Sequence, residues 1–236
     1  MVLKIAMIED FDTVVLPAWL TAVTDRFPNL RFHVKSGPSH ENHATLGNRA
    51  ADLILASEAL ETPDWVEDHP ILADPYILVR SAEIAPPRRP DDLMRHPFVR
   101  YSRELMIGRH IEAHLRRSKA VPRRAHEFST HQAVFSMVEA MGAWAITPAS
   151  AFLNFGPTAS VAELRRPILA SALPFPGFSR HISLQARSGA LAQMPSELAG
   201  LLRLVIQRHL VGRLGAELAD SAPNTCFRIL GPVHLN

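Results

Sequence analysis

The stretch MIEDFDTVVLP, residues 7 to 17, places Glu9, Asp10 and Asp12 where an apolar run hands over to helical spacing. A carboxylate at a helix start is favoured by the backbone dipole, so capping accounts for one of the three. Neighbouring acids can also tune each other's pKa for proton transfer, although adjacent residues on a turn point apart as often as together. A second pattern, HIEAH, sets His110 and His114 four apart on a helix, a spacing able to grip zinc. It departs from His-Glu-x-x-His and has no evident third ligand, so surface histidines are the simpler reading and no metal is expected. His40 and His43, near another helix start, are placed where they could touch a ligand, and read most simply as a polar helix face. No glycine-rich phosphate loop or dinucleotide fingerprint follows any strand, so no cofactor is expected. Neither Ser39 nor Ser179 sits in a nucleophile elbow, which leaves nucleophilic catalysis without support.

These residues must be positioned by a folded scaffold. With 236 residues, 47% of them hydrophobic, the chain can build one large domain or two small ones. No apolar run reaches the roughly 18 residues of a membrane span, and Lys4, Glu9, Asp10 and Asp12 interrupt any signal-peptide core. A cytoplasmic protein with no membrane partner is expected. Cys226 is the only cysteine, so neither a disulfide framework nor a cysteine-rich metal site can form within one chain. Lysine plus arginine number 25 against 23 acids, and pairs such as Arg88-Arg89, Arg116-Arg117 and Arg123-Arg124 are scattered. That distribution is not the footprint of a nucleic-acid groove.

Periodicity supplies the elements. LKIAMI reads as a buried strand, and Leu16, Trp19, Leu20, Val23 and Phe27 recur at helical spacing with Pro17 in the first turn. LRFHVK alternates strictly and reads as a half-exposed edge strand. Residues 39 to 50 predict a helix, and ADLILA a strand covered on both faces. This β-α-β-α-β order predicts a parallel sheet with its ligand crevice at the carboxyl ends of the strands. PYILV is a further strand, and RSAEIAPPRRPDDL a proline-rich break. A second alternation follows: FVRY, a helix over 103–117, AHEF, a helix in STHQAVFSMVEAMG, and the strand AWAITP. HISLQA reads as a returning strand and 195–214 as one helix packed on the first sheet, whereas the last stretch has no clear period.

The ordered segments LKIAMIEDFDTVVLPAWLTAVTDRFPNLRFHVKSG, RAADLILA, ILADPYILV and FSTHQAVFSMVEAMGAWAITP resemble the effector-binding domain of LysR-type transcriptional regulators. They are similar to that family's opening strand, leucine-proline helix start and R-(F/Y)-P turn, its aspartate-led third strand, its crossing strand, and its A-x-G turn before a strand ending in proline. The resemblance spans about residues 3 to 212. It implies an α/β protein of the type-2 periplasmic-binding-protein fold, two Rossmann-like subdomains joined by two crossing strands. Residues 1–78 with 168–218 would form the first subdomain, 79–167 the second, and 219–236 a tail or edge extension. It also implies a sensor of a small-molecule effector bound in the cleft between the subdomains. A homodimer would form antiparallel through the first helix and LRFHVK, and DNA would be bound only by an N-terminal winged helix-turn-helix that this sequence does not contain. A stand-alone binding protein or an enzyme of the same fold is the alternative.

By the same resemblance, effector contacts fall on Glu9, Asp10 and Phe11 after the first strand and Ser36 and Ser39 after the second; the strand order places Ser57, after the third, on the same rim as an effector contact. In the second half they fall on Arg100, Tyr101, Phe128, Ser129 and Thr130. Acids on one side and Arg100 with the Ser129-Thr130 helix start on the other would suit a carboxylate or a zwitterion. The competing reading has Asp12 capping the helix, Glu9 solvated, and Arg100 paired with one of the acids.

Overall fold

The computed structural model describes residues 1–57, 61–122, 125–155, 167–217 and 225–232. The Arg123-Arg124 pair and most of the stretch from 219 onward lie outside them. Two compact units partition the chain: Met1–Asp74, Arg180–Gly212 and Phe227–Asn236 form the first, Pro75–Ser179 and Arg213–Cys226 the second.

In the first unit, β1 (Val2–Met7) leads through a 3-10 turn (Glu9–Phe11) to α1 (Val15–Arg26), β2 (Arg31–Ser36), α2 (Ser39–Gly47) and β3 (Leu53–Ser57). β1 pairs in parallel with β2 and with β3, in the register Met7 to Ser36 and Met7 to Leu55, so the carboxyl ends of the three strands lie side by side. β2 is the expected edge: Phe32 and Val34 are half-buried while Arg31, His33 and Lys35 face solvent. β3 is buried at every position, as its unbroken apolar run requires. β4 runs from Val66 to Ser81, much longer than PYILV, because its polar beginning shows no strand period in the sequence.

β4 carries the chain into the second unit, which continues with α3 (Pro90–Leu93), β5 (Phe98–Tyr101), α4 (Met106–Arg117), β6 (Ala125–Phe128), α5 (His131–Met141), β7 (Trp144–Pro148), α6 (Ala149–Phe155) and β8 (Ile168–Ser171). β5 pairs in parallel with β6 and β7, and β4 pairs antiparallel with β7 and β8. Gly142 ends α5 in the left-handed conformation (φ 60°), the usual role of glycine just past a helix. α6 and β8 have no counterpart in the sequence reading. α6 is buried along almost its whole length and so lacks the amphipathic stripe that betrays a helix.

β9 (Ser179–Arg187) returns antiparallel to β3, followed by α7 (Met194–Ile206), a π-type turn (Gln207–Val211), α8 (Gly212–Glu217) and β10 (Arg228–Ile229). The helix expected over 195–214 is therefore interrupted by five residues of wider winding, a local change that a hydrophobic stripe does not reveal. Leu198, Leu201, Leu202 and Val205 of α7 are buried, and Trp19 of α1 donates its indole N–H to Leu198 O at 3.0 Å. β10 adds antiparallel to Leu72 and Ala73 of β4. Arg203 of α7 holds that segment, with Nε donating to Pro70 O and Leu230 O and Nη1 to Pro232 O.

Candidate functional site

At the carboxyl end of β1 the three acids take three separate roles. Asp10 is 3% exposed and accepts from Arg180 Nη2 at 2.6 Å. The same guanidinium donates to Asp74 Oδ2 from Nε at 3.0 Å and from Nη2 at 2.9 Å. This buried ion triad joins the turn after β1 to the neighbouring positions of β4 and β9. Asp12 accepts from Ser36 Oγ at 2.9 Å, and burial, aided by the nearby Asp10 charge, raises its pKa against that hydrogen bond. It does not cap α1: the N-cap is Val14, which makes no side-chain cap bond. Glu9 is half-buried and Phe11 is fully enclosed.

The serine candidates of this unit form one stitched corner. Ser39 Oγ and Ser57 Oγ are 2.8 Å apart, and Ser57 N–H donates to Ser39 Oγ at 3.1 Å. His43 Nε2 lies 3.0 Å from Ser57 O and so donates to it, while Asn42 donates to Gly37 O at 3.0 Å. The first turn of α2 is thereby tied to the end of β3. His43, read as polar surface, is part of this tie.

In the second unit, Tyr101 ends β5, Phe128 ends β6, and Ser129 and Thr130 open α5. Thr130 is the N-cap, accepting from Ala133 N at 3.2 Å. Helix geometry leaves the preceding N–H groups without intrahelical acceptors and with a partial positive charge. Behind them lies a buried polar group that the sequence did not reveal. Tyr101 OH is 2.6 Å from His131 Nδ1 and 2.8 Å from Thr147 Oγ1, and His131 stacks on Phe155 with ring centroids 5.6 Å apart. A phenol has one proton, so Tyr101 can donate to only one of these partners at a time. The group fixes the first residue of α5 against the ends of β5 and β7.

Arg100 is tied within its own unit. Its Nη2 donates to Glu127 Oε2 on the neighbouring strand β6, which lowers the Glu127 pKa. Its side chain lines a cavity on the flank of this unit, together with Phe98, Ile111 and Leu115.

Among the described residues no three histidine, cysteine, aspartate or glutamate side chains are grouped so as to hold a metal ion. His114 is not a surface histidine. Its ring is stacked on Phe178 at 3.9 Å, which in turn stacks on Tyr76 at 4.2 Å, and its Nε2 donates to Pro176 O at 2.7 Å. Burial lowers its pKa more than that hydrogen bond raises it. Asp74 offered one signal for what was missed: an acid inside the apolar run ILADPYILV must find a cation. Its partner Arg180, 106 positions away, has no local signature.

No curated protein matches the sequence. Among solved structures, a mutant of OxyR from Corynebacterium glutamicum superposes with a TM-score of 0.74 at 18% identity, over 92% of this chain and 67% of that one. The effector binding domain of QuiR in complex with shikimate gives 0.69 at 14% identity, over 89% and 99%. The BenM effector binding domain with its effector benzoate gives 0.67 at 15%, over 88% and 90%. These likenesses establish the fold, of type-2 periplasmic-binding-protein kind. The model of the LysR substrate binding domain matches residues 1–192, most of the chain, and the protein belongs to that family.

Proposed function

We propose that this domain senses a small organic carboxylate, and that its carboxylate end is received at the start of α5. As a LysR substrate binding domain, the chain is the ligand-sensing regulatory part of a LysR-type transcriptional regulator. The observation that carries the choice of ligand is the Ser129-Thr130 opening of α5 backed by the buried Tyr101–His131–Thr147 group. A helix start held rigidly by buried hydrogen bonds presents its N–H groups in fixed directions, which favours an anion. Phe128 supplies apolar contact beside it.

In the first unit the polar candidates are engaged with one another: Asp10 with Arg180, Ser36 with Asp12, and Ser39 with Ser57. The similar domains of QuiR and BenM were solved with shikimate and benzoate, both small carboxylates. With Cys226 its one cysteine, the chain cannot signal through an intrachain disulfide. We read the working form as a cytoplasmic homodimer that responds to its ligand without turning it over. DNA contact is assigned to a winged helix-turn-helix domain and to no residue of this one. No helix among the described residues is long and apolar enough to cross a membrane.

Calorimetric titration with shikimate, benzoate, amino acids and the primary amides of the two acids tests the reading. Saturable binding of a carboxylate, with its amide about tenfold weaker or more, is expected. Equal binding of acid and amide, or a preference for cations, would overturn it, and consumption of a bound compound would favour the enzyme reading.

A further inference from the structure

We infer that the second unit carries another small-ligand site, a cavity beneath α4 that takes a short branched monocarboxylate on Arg100. The cavity lies between α4 and the strands β5 and β6, and the inference does not depend on the function proposed above. Its walls are Phe98, Ile111, Leu115 and Val121, an apolar lining for a hydrocarbon group. Charged groups among its lining are two guanidiniums, Arg100 and Arg103, and one carboxylate, Glu112. Both oxygens of Glu112 are engaged: Oε2 by Arg103 Nε and Oε1 by Arg116 Nη2, each at 2.6 Å.

Arg100 is different. Its Nη2 is committed to Glu127, but its Nε is buried and has no acceptor among the described residues. A guanidinium N–H enclosed without an acceptor is a strong site for a carboxylate oxygen, because charge-assisted hydrogen bonds are the strongest that proteins form. The open Arg100 N–H selects an acceptor such as a carboxylate oxygen, and the apolar walls select one with a hydrocarbon body.

Size decides the class. The cavity measures about 70 Å³, roughly half the ~150 Å³ of an apolar cavity that accepts benzene. The three-carbon body of isobutyrate matches that volume. Gly108 keeps the space from widening at the N-terminal end of α4. A Cβ placed there would lie 2.7 Å from Ser102 C and 2.8 Å from Tyr101 O, so the helix already touches the end of β5.

Backbone amide shifts during titration with isobutyrate and with isobutyramide test the site. Saturable shifts at Val99, Arg100, Ile111 and Leu115 are expected, with isobutyramide about tenfold weaker and Arg100→Met weaker by at least as much. Filling the space with Leu115→Phe should abolish those shifts while leaving the response of Ser129 to His131 to larger carboxylates unchanged. The proposal fails if isobutyrate moves none of these amides up to about 20 mM. It also fails if acid and amide bind the wild-type protein alike, a comparison that needs no variant to fold, or if the shifts fall only at Ser129 to His131.

Discussion

Arg180 shows why three neighbouring acids at a strand end need not be a reactive centre. The guanidinium is sequestered between Asp10 and Asp74, with all three side chains almost fully buried. Desolvating such charges is compensated only when each finds partners in good geometry, and removing one partner leaves the others uncompensated. Arg180→Met removes the cation shared by two buried carboxylates and is expected to cost about 3–5 kcal/mol in urea unfolding. Ser36→Ala, which takes only an exposed hydroxyl from Asp12, should cost less than about 1 kcal/mol in the same assay. His114 makes a prediction in pH. Its folded-state pKa lies below the ordinary 6.5 because the neutral ring is the buried form. The unfolded chain therefore binds the extra proton first as pH falls. Stability from His114 is complete above 6.5 and is lost as pH drops through that value towards the lower folded pKa. Melting temperature measured between pH 8 and pH 5 should decline on the acid side, and less steeply in His114→Phe, which keeps the stack without the proton.

At the scale of elements, the two long strands β4 and β9 are held firmly on each unit's own side of the passage. Asp74, where the chain leaves the first unit, and Arg180, where it re-enters, are bound to each other. Tyr76 and Phe178, just inside the second, are stacked at 4.2 Å and covered by His114 of α4. Gly108 sets how closely α4 can approach β5, and any side chain there would collide with the backbone of Tyr101 and Ser102. Gly108→Ala is expected to destabilise by about 1–3 kcal/mol or more, as overpacking a close backbone contact does, with loss of α4 amide protection in hydrogen exchange. Much of this layer was legible. The alternation of LRFHVK, the apolar run of LILA and the stripes of α1, α5 and α7 each named their element, because half-burial writes a period into the sequence. α6 and the first third of β4 were not legible, the one buried all round and the other polar at its start. The stacking of His114 depends on a loop more than sixty positions away, which no spacing argument reaches.

For the molecule as a whole, the order of segments carried the family and the family carried the expected site residues. The structure then divided them: Ser39 and Ser57 are tied together, Asp10 is sealed with Arg180, Arg100 faces a flank cavity, and Tyr101 joins His131 and Thr147. The homodimer reading predicts a dimeric mass by light scattering at high micromolar concentration, and a strictly monomeric mass would count against it. The account rests most heavily on carboxylate recognition at the start of α5, and Ser129→Asp tests it directly. An acid at that position stabilises a helix start but repels an anionic ligand. The account predicts a melting temperature unchanged or raised and an affinity for the sensed carboxylate reduced about tenfold or more by calorimetry. An affinity equal to that of the wild-type protein, in a variant that melts normally, would contradict it.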